Sequence, residues 1–167
     1  MTQWKILRDE NGYKWYEGEV INGEPNGKGA SFYKPSIVDS HENGCYTKAV
    51  ESDYPDLFQV ESDHNQLKAY YGDWKNGQPY GLGIMYFETN GNKSYTGGLQ
   101  NGKPEGKGIS WHENGIKCYD GVWKNGLKNG KGSYYNQNGI RIHTGYFEDN
   151  KPLNLDKNID EKSCCFM

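Results

Sequence analysis

The sequence predicts an all-β protein, built as an elongated, single-layer antiparallel sheet of stacked β-hairpins. A Tyr/His-x-Gly triplet recurs at a nearly fixed interval, with its glycines 25, 24 and 24 residues apart at Gly72, Gly97, Gly121 and Gly145. An Asn-Gly dipeptide, which suits the tight turn of a hairpin, follows the first three triplets. Apolar and polar residues alternate on both sides of that dipeptide, as in half-buried strands. A fixed period of this size is typical of a repeat array.

Each repeat is interpreted as one hairpin with a glycine inside its apolar face. In one unit, Tyr95, Gly97 and Leu99 share a face of the first strand. A missing Cβ at such a position lets a neighbouring ring lie across the backbone. Gly-x-Gly pairs such as Gly106 and Gly108 also occur in phosphate loops, but here they lead into strand-like residues rather than a helix or a Lys-Ser/Thr pair. We therefore favour a structural role for these glycines.

The repeats divide the chain into a repeat domain, residues 1–152, and a charged tail, residues 153–167, which is predicted to be flexible. Residues 2–12 resemble the second half of a repeat. Full repeats are predicted near residues 16–33, 70–91, 95–115 and 119–139, followed by a partial terminal repeat at 143–152. The last unit has the features of a cap, because His143 replaces tyrosine and Pro152 is expected to end strand pairing.

An irregular insertion at residues 34–69 interrupts the period, so that Gly18 and Gly72 are 54 residues apart. The insertion is rich in acidic residues and contains no Gly-x-Gly pair. In repeat arrays such an insertion maps to a loop, often on the binding face. Alternatively, the apolar residues Leu57, Phe58 and Val60 pack onto the sheet. The sequence leaves both interpretations open.

The composition indicates a sheet covered by rings rather than a thick aliphatic core. Hydrophobic residues make up 34% of the chain and aromatic residues 14%, with 14 tyrosines and 23 glycines. A net charge of −3 predicts no nucleic-acid partner. The chain has no run of apolar residues long enough for a spanning helix, and its start has no secretory segment. Four cysteines without a disulfide spacing agree with the cytosol.

No catalytic or metal-binding set of residues stands out. The histidines His41, His64, His112 and His143 are scattered, and no nucleophile, base and acid occur at a recognisable spacing. His41, Cys45 and His64 match no zinc pattern. The sequence therefore predicts no enzyme, no cofactor and no metal.

The motif Tyr-x-Gly-x-x-x-Asn-Gly-x-x-x-Gly-x-Gly resembles the membrane occupation and recognition nexus repeat, the MORN repeat. The likeness covers residues 16–33 and 70–148, and residues 2–12 in part. The insertion departs from the family pattern and leaves open whether one unbroken groove forms. The resemblance implies an elongated sheet of hairpins and a non-catalytic scaffold or adaptor. Some members of the family associate with acidic phospholipids, and others bind a partner helix along an aromatic groove.

A face of recurring rings is the predicted partner-binding surface. Its members are Tyr70, Trp74, Tyr95, Tyr119, Trp123 and Phe147. Rings offer a large contact area at low entropic cost, and they can anchor an amphipathic peptide or helix. Alternatively, the same rings pack on one another across the strands. So few residues cannot cover both faces of a single-layer sheet, so we expect some rings to stay accessible.

The chain ends in Ser163-Cys164-Cys165-Phe166-Met167. A cysteine fourth from the end, with a terminal methionine, resembles a C-a-a-X box and predicts a farnesyl group on Cys164. One lipid chain gives only marginal membrane attachment, and the tail has no polybasic patch. A second signal is therefore expected from a protein partner or from the sheet itself.

Together these observations predict a non-catalytic adaptor that binds a protein partner along its aromatic face. It is expected in the cytoplasm, held on the cytosolic face of a membrane through Cys164. Direct binding of phospholipids by the sheet is one alternative. Lysines do recur at the turns, but the net charge is negative and such lysines are commonly a solvated hairpin edge. A soluble interaction module with a fortuitous C-terminal cysteine pair is the other alternative. The sequence identifies neither the partner nor the oligomeric state.

Overall fold

The structure, a computed structural model, describes residues 1–34 and 66–153. In these ranges the strands pair in chain order into one antiparallel sheet. The strands are β1 (Gln3–Arg8), β2 (Lys14–Ile21), β3 (Glu24–Phe32), β4 (Lys68–Lys75), β5 (Gln78–Tyr86), β6 (Lys93–Gln100), β7 (Lys103–Trp111), β8 (Lys117–Lys124), β9 (Leu127–Tyr135), β10 (Arg141–Glu148) and β11 (Lys151–Pro152). Among the described residues there is no helix that is long and apolar enough to cross a membrane. The predicted all-β, single-sheet fold class is confirmed.

The Asn-Gly dipeptides form the hairpin turns, as predicted. Asn76 and Gly77 have φ angles of 51° and 73°, and positive φ at both central residues gives the turn whose twist matches a hairpin. Asp149 and Asn150 adopt the same turn, with φ angles of 45° and 70°. The last unit therefore keeps the hairpin geometry without the sequence motif, because Asp and Asn tolerate the left-handed region. We number the hairpins 1 to 5, from β2–β3 to β10–β11.

A row of paired glycines crosses the middle of the sheet. Its members, each opposite the next, are Gly18, Gly29, Gly72, Gly83, Gly97, Gly108, Gly121, Gly132 and Gly145. A Cβ built on Gly97 would lie 2.6 Å from the hydroxyl oxygen of Tyr95 and 2.5 Å from the Cα atom of Gly108. The ring thus occupies the space that a side chain would need, which confirms the structural role predicted for these glycines. We call this row the glycine ladder.

The insertion does not interrupt the sheet, because β3 pairs directly with β4. At its base, the backbone N–H of Tyr33 donates to the carbonyl oxygen of Leu67 over 2.9 Å. The side-chain amide of Gln66 donates to the carbonyl of Tyr33 over 3.3 Å. Since β4 begins at Lys68, residues 68 and 69 belong to the strand rather than to the insertion. The rest of the insertion, residues 35–65, lies outside the described residues, as does the tail from residue 154.

The core is a chain of rings that links successive hairpins. The ring of Trp74 packs edge-on against Tyr16 of hairpin 1 and Tyr70 of hairpin 2, with centroid distances of 5.0 and 5.3 Å. Trp123 of hairpin 4 likewise packs against Tyr95 of hairpin 3, with a centroid distance of 5.4 Å. Each such pair contributes about 0.5–1.5 kcal/mol beyond its buried area. No hairpin therefore has to be stable alone.

Proline occupies the same place, just after the turn, in four of the five hairpins. These residues are Pro25, Pro79, Pro104 and Pro152. Pro152 pairs with Phe147 and is the last residue of β11, the last strand described, which agrees with its predicted place at the end of strand pairing. Proline takes part in the sheet through its carbonyl group here, because the N–H of Gly102 donates to the carbonyl of Pro79 over 2.9 Å. In hairpin 4 the corresponding residue is Lys128.

Candidate functional site

The six rings predicted to bind a partner are buried. Their exposed fractions are 3% for Tyr70, 7% for Trp74, 0% for Tyr95, 0% for Tyr119, 3% for Trp123 and 4% for Phe147. The rings that we expected to stay accessible are therefore not these six, because each indole or phenyl ring lies against rings of its own and the preceding hairpin, which for Phe147 are His143 and Tyr119. The main role of these rings is to pack on one another across the strands, which was the alternative interpretation of the sequence. Contact between a partner and their remaining exposed edges stays a prediction.

The tyrosines of this face also fix the backbone of their own strands. The hydroxyl of Tyr16 donates to the carbonyl of Glu19 over 2.7 Å, and that of Tyr70 donates to the carbonyl of Asp73 over 2.8 Å. Burial, with a smaller contribution from Glu19, raises the pKa of Tyr16 to about 12. These hydroxyls are therefore neutral donors at physiological pH, which suits a structural role rather than catalysis.

A cleft of about 460 Å³ opens beside the rings of hairpins 3 and 4. Apolar and polar groups line it, among them Phe87, Trp123, Leu127, Ser110, His112 and Lys128. Of the six predicted rings, Trp123 is the one that borders this space. Its indole N–H donates to the carbonyl of Gly108 over 3.1 Å, so the wall of the cleft is fixed to the sheet.

The polar groups of the cleft are unusual for a sheet protein. Lys128 is only 3% exposed, and its ammonium nitrogen lies 5.0 Å from the ring centroid of Tyr134 and 5.6 Å from that of Tyr119. Its backbone N–H donates to the side-chain oxygen of Asn150 over 2.8 Å. The buried hydroxyl of Ser110 has no hydrogen-bond partner among the residues that the structure describes. The cleft thus combines a buried cation with an unused donor.

Comparison with protein families identifies the hairpins. The family model of the MORN repeat matches residues 16–31, 70–91, 95–117 and 119–141, slightly more than half of the chain. The chain belongs to the MORN repeat family. The matched segments correspond to hairpins 1 to 4, and hairpin 5 extends the sheet beyond them. Comparison with curated proteins gave no match. MORN repeat proteins are generally non-catalytic adaptors, and their repeats indicate a membrane or protein-interaction module.

A second surface of the MORN sheet lies where successive hairpins join, and sequence reasoning missed it. The register there places a ring opposite a cation: Phe32 opposite Lys68, Tyr86 opposite Lys93, Trp111 opposite Lys117 and Tyr135 opposite Arg141. We call this set the cation–ring row. The ammonium group of Lys117 lies 2.9 Å from the carboxylate of Asp120, which neutralises part of the row. The signal that could have revealed it is the period of 25 and 24 residues from Lys68 to Lys93 and Lys117.

The histidines of the MORN array are not gathered into one site. The Nε2 atom of His112 lies 3.0 Å from the carbonyl oxygen of Tyr135. His143 takes the tyrosine position of hairpin 5, and its buried Nε2 atom has no partner within the described part of the chain. In residues 1–34 and 66–153, no group of three or more His, Cys, Asp or Glu residues is arranged to hold a metal. The other residues considered for metal binding or lipidation, His41, Cys45, His64 and Cys164, lie outside the described residues.

Proposed function

We propose that this MORN protein is a non-catalytic adaptor that holds a short segment of a protein partner in the cleft beside Trp123. The observation that supports this function is the opening itself, because the six predicted rings are otherwise buried against one another and their neighbours. Its volume of about 460 Å³ falls within the roughly 300–1,000 Å³ of sites that enclose ligands. Phe87 and Leu127 give the cleft apolar walls that suit the anchor side chains of a peptide.

The predicted rings support this cleft mainly from beneath. Tyr95 and Tyr119 pack edge-on against Trp123, with centroid distances of 5.4 and 5.1 Å, and so hold the indole in one orientation. A wall that is already ordered before binding lowers the entropic cost of association. The other members of the predicted set, Tyr70, Trp74 and Phe147, act in this proposal by keeping the sheet rigid.

Site-specific cross-linking tests the adaptor function. A photoreactive residue is placed at Leu127, which lines the cleft, or at Leu82, which is exposed on β5 and outside it. We expect one protein to be captured at position 127 and not at position 82. The purified partner should then bind Leu127→Arg at least about tenfold more weakly than the parent, and Leu82→Arg normally. Equal capture at both positions, or full affinity of Leu127→Arg, would overturn the proposal.

We further propose that a farnesyl group on Cys164 places the adaptor on the cytosolic face of a membrane. The support is the sequence Cys164-Cys165-Phe166-Met167, which acts as a lipidation signal only at a free carboxyl terminus. Mass spectrometry of the protein from eukaryotic cells should show the lipid, and Cys164→Ser should shift the protein from membranes to the soluble fraction. An unmodified cysteine with unchanged membrane partition would end this part of the proposal.

Direct binding to anionic phospholipids is a second candidate, and the cation–ring row favours it. The row combines positive charge with aromatic rings, and both kinds of residue interact favourably with the interface of an anionic membrane. A local carboxylate weakens it, however, because Asp120 pairs with Lys117 over 2.9 Å. Sedimentation of unlipidated protein with anionic vesicles tests this candidate. Binding that Arg141→Gln weakens and Lys103→Gln, a turn control, leaves unchanged would favour it over the cleft.

A further inference from the structure

We propose that the cleft takes a carboxylate group from an acidic residue of the partner, with Lys128 as its counter-ion. This inference rests on the proposed adaptor function and names the chemistry of the segment that the cleft holds.

The position of Lys128 sets hairpin 4 apart from its neighbours. The residue opposite Trp74 is Pro79, and the residue opposite Leu99 is Pro104, whereas Trp123 faces Lys128. The sheet does not need a lysine there, since four other hairpins form with proline. The backbone role is preserved, because the carbonyl of Lys128 accepts the next turn's N–H over 3.0 Å. What the substitution adds is a positive charge under the cleft.

That charge is buried without an anion. Lys128 is 3% exposed, and none of the ion pairs within residues 1–34 and 66–153 involves it. The rings of Tyr119 and Tyr134 offset part of the lost hydration through cation–π contacts. A buried ammonium is nevertheless costly until an opposite charge joins it. An incoming carboxylate would supply that charge.

Neutral donors beside Lys128 fit the same ligand. The hydroxyl of Ser110 is buried and has no partner in the described part of the chain, although a buried hydroxyl normally has one. Asn150 uses its side-chain oxygen to accept the N–H of Lys128, and this leaves its amide N–H groups as donors. Both residues line the cleft together with Lys128. A carboxylate has two oxygens that can accept from such a set.

A single carboxylate suits the cleft better than a phosphate group. Lys128 is the one lysine or arginine among the residues that line the cleft, and the exposed carboxylate Glu113 stands among them. Phosphate sites commonly gather several cations or backbone N–H groups around one anion. The apolar walls, Phe87 and Leu127, further favour an acidic residue flanked by apolar ones.

Nuclear magnetic resonance on the full chain, with labelled lysine and tryptophan, tests the inference. The probes are acetyl-Leu-Glu-Leu-amide, its matched control acetyl-Leu-Gln-Leu-amide, sodium acetate and inorganic phosphate. The glutamate peptide should shift the signals of Lys128 and Trp123 in a saturable way, at least about tenfold more tightly than the glutamine peptide. Saturable shifts with acetate alone would also support a carboxylate site, with free acids as its source. Tighter binding of phosphate than of either carboxylate would overturn it.

Variants separate the charge from the fold. Lys128→Met should abolish the preference for glutamate over glutamine, and Ser110→Ala should weaken it. Lys124→Met, an exposed control on the neighbouring turn, should leave it intact. Lys128→Met should also melt no lower than the parent, because it removes a buried charge. If folded Lys128→Met still prefers the glutamate peptide to the glutamine peptide, the role of Lys128 is contradicted. If Lys128→Met does not fold, full binding of the glutamate peptide by Ser110→Ala would contradict the carboxylate site.

The two proposals fail differently. If both peptides bind equally and shift the signal of Trp123, the cleft binds peptides without distinguishing a charged from a neutral side chain. The carboxylate inference then fails, and the adaptor function stands. If neither peptide shifts these signals at millimolar concentration, the carboxylate inference also fails. Cross-linking at position 127 then decides the adaptor function independently.

Discussion

The contact between Tyr95 and Gly108 offers a sharp test of the glycine ladder. Gly108 is not among the glycines with positive φ, so an alanine there meets no backbone strain. Its Cβ atom would lie 2.5 Å from Cζ and 2.6 Å from Cε2 of Tyr95, whereas ordinary carbon contacts begin at 3.4 Å. The ring cannot easily retreat, because Tyr95 is 0% exposed and its hydroxyl donates to the carbonyl of Gly98 over 2.8 Å.

The expected cost of Gly108→Ala follows from these distances. Overpacking a well-packed core typically costs about 1–3 kcal/mol. Displacing the ring also loses a buried hydrogen bond, which is worth about 1 kcal/mol. We therefore expect Gly108→Ala to lower the free energy of unfolding by about 2–4 kcal/mol. For a chain of this size, such a loss lowers Tm by about 10 °C.

Urea and thermal unfolding, followed by circular dichroism, measure this cost. Gly106→Ala is the matched control, because nothing lies within 4 Å of its Cβ position and only its φ of 74° opposes the change, at about 1–2 kcal/mol. In a Tyr95→Leu background the cost of Gly108→Ala should largely vanish. The ring-over-glycine explanation would be refuted if Gly108→Ala cost no more than Gly106→Ala, or cost as much without the tyrosine ring.

Three further predictions follow from the same face. His143→Tyr should raise the free energy of unfolding by about 1 kcal/mol, and Tm with it, because the new hydroxyl can donate to the carbonyl of Tyr146 as the tyrosine hydroxyls of the other hairpins do three residues along. An unchanged Tm in calorimetry would count against this prediction. Trp74→Phe should cost about 1–2 kcal/mol through loss of its 3.1 Å indole hydrogen bond to Gly29, measured by urea unfolding. Because the pKa of Tyr16 is raised from 10.0 to about 12, the folded chain retains a proton that the unfolded chain releases. Stability should therefore fall as the pH rises from 10 towards 12, and the part of the tyrosinate absorbance that comes from buried tyrosines such as Tyr16 should appear together with unfolding.

The elements that the sequence predicted well depend on local chemistry. Asn76-Gly77 forms its turn because those two residue types tolerate positive φ wherever they occur. The spacing of Gly97 and Gly108 within one hairpin fixes their pairing and the place of the ring above them. Such signals act over a few residues, so the period alone revealed the strands and the turns.

The features that the sequence did not predict depend on contacts between hairpins. The solvent exposure of the Trp123 ring depends on tyrosines of two hairpins that pack against it. The alternation of apolar and polar residues predicts only which face of the sheet the ring lies on. The pairing of β3 with β4 across the insertion is likewise a long-range contact. The recurrence of lysine at the turns does not distinguish Lys128 from the other turn lysines; what distinguishes it is that the other four hairpins have proline at this position. Cys164 and residues 35–65 lie outside the described residues, so their predicted roles stay predictions.

Proton–proton contacts across the glycine ladder test most directly whether the array is one continuous sheet. Gly29 and Gly72 are separated by the insertion in sequence, yet the register places them opposite each other. A continuous ladder predicts cross-strand nuclear Overhauser effects between Gly29 and Gly72 as strong as those between Gly83 and Gly97. Strong effects at Gly83–Gly97 with none at Gly29–Gly72 would mean that the sheet breaks at the insertion, and would contradict the single ladder.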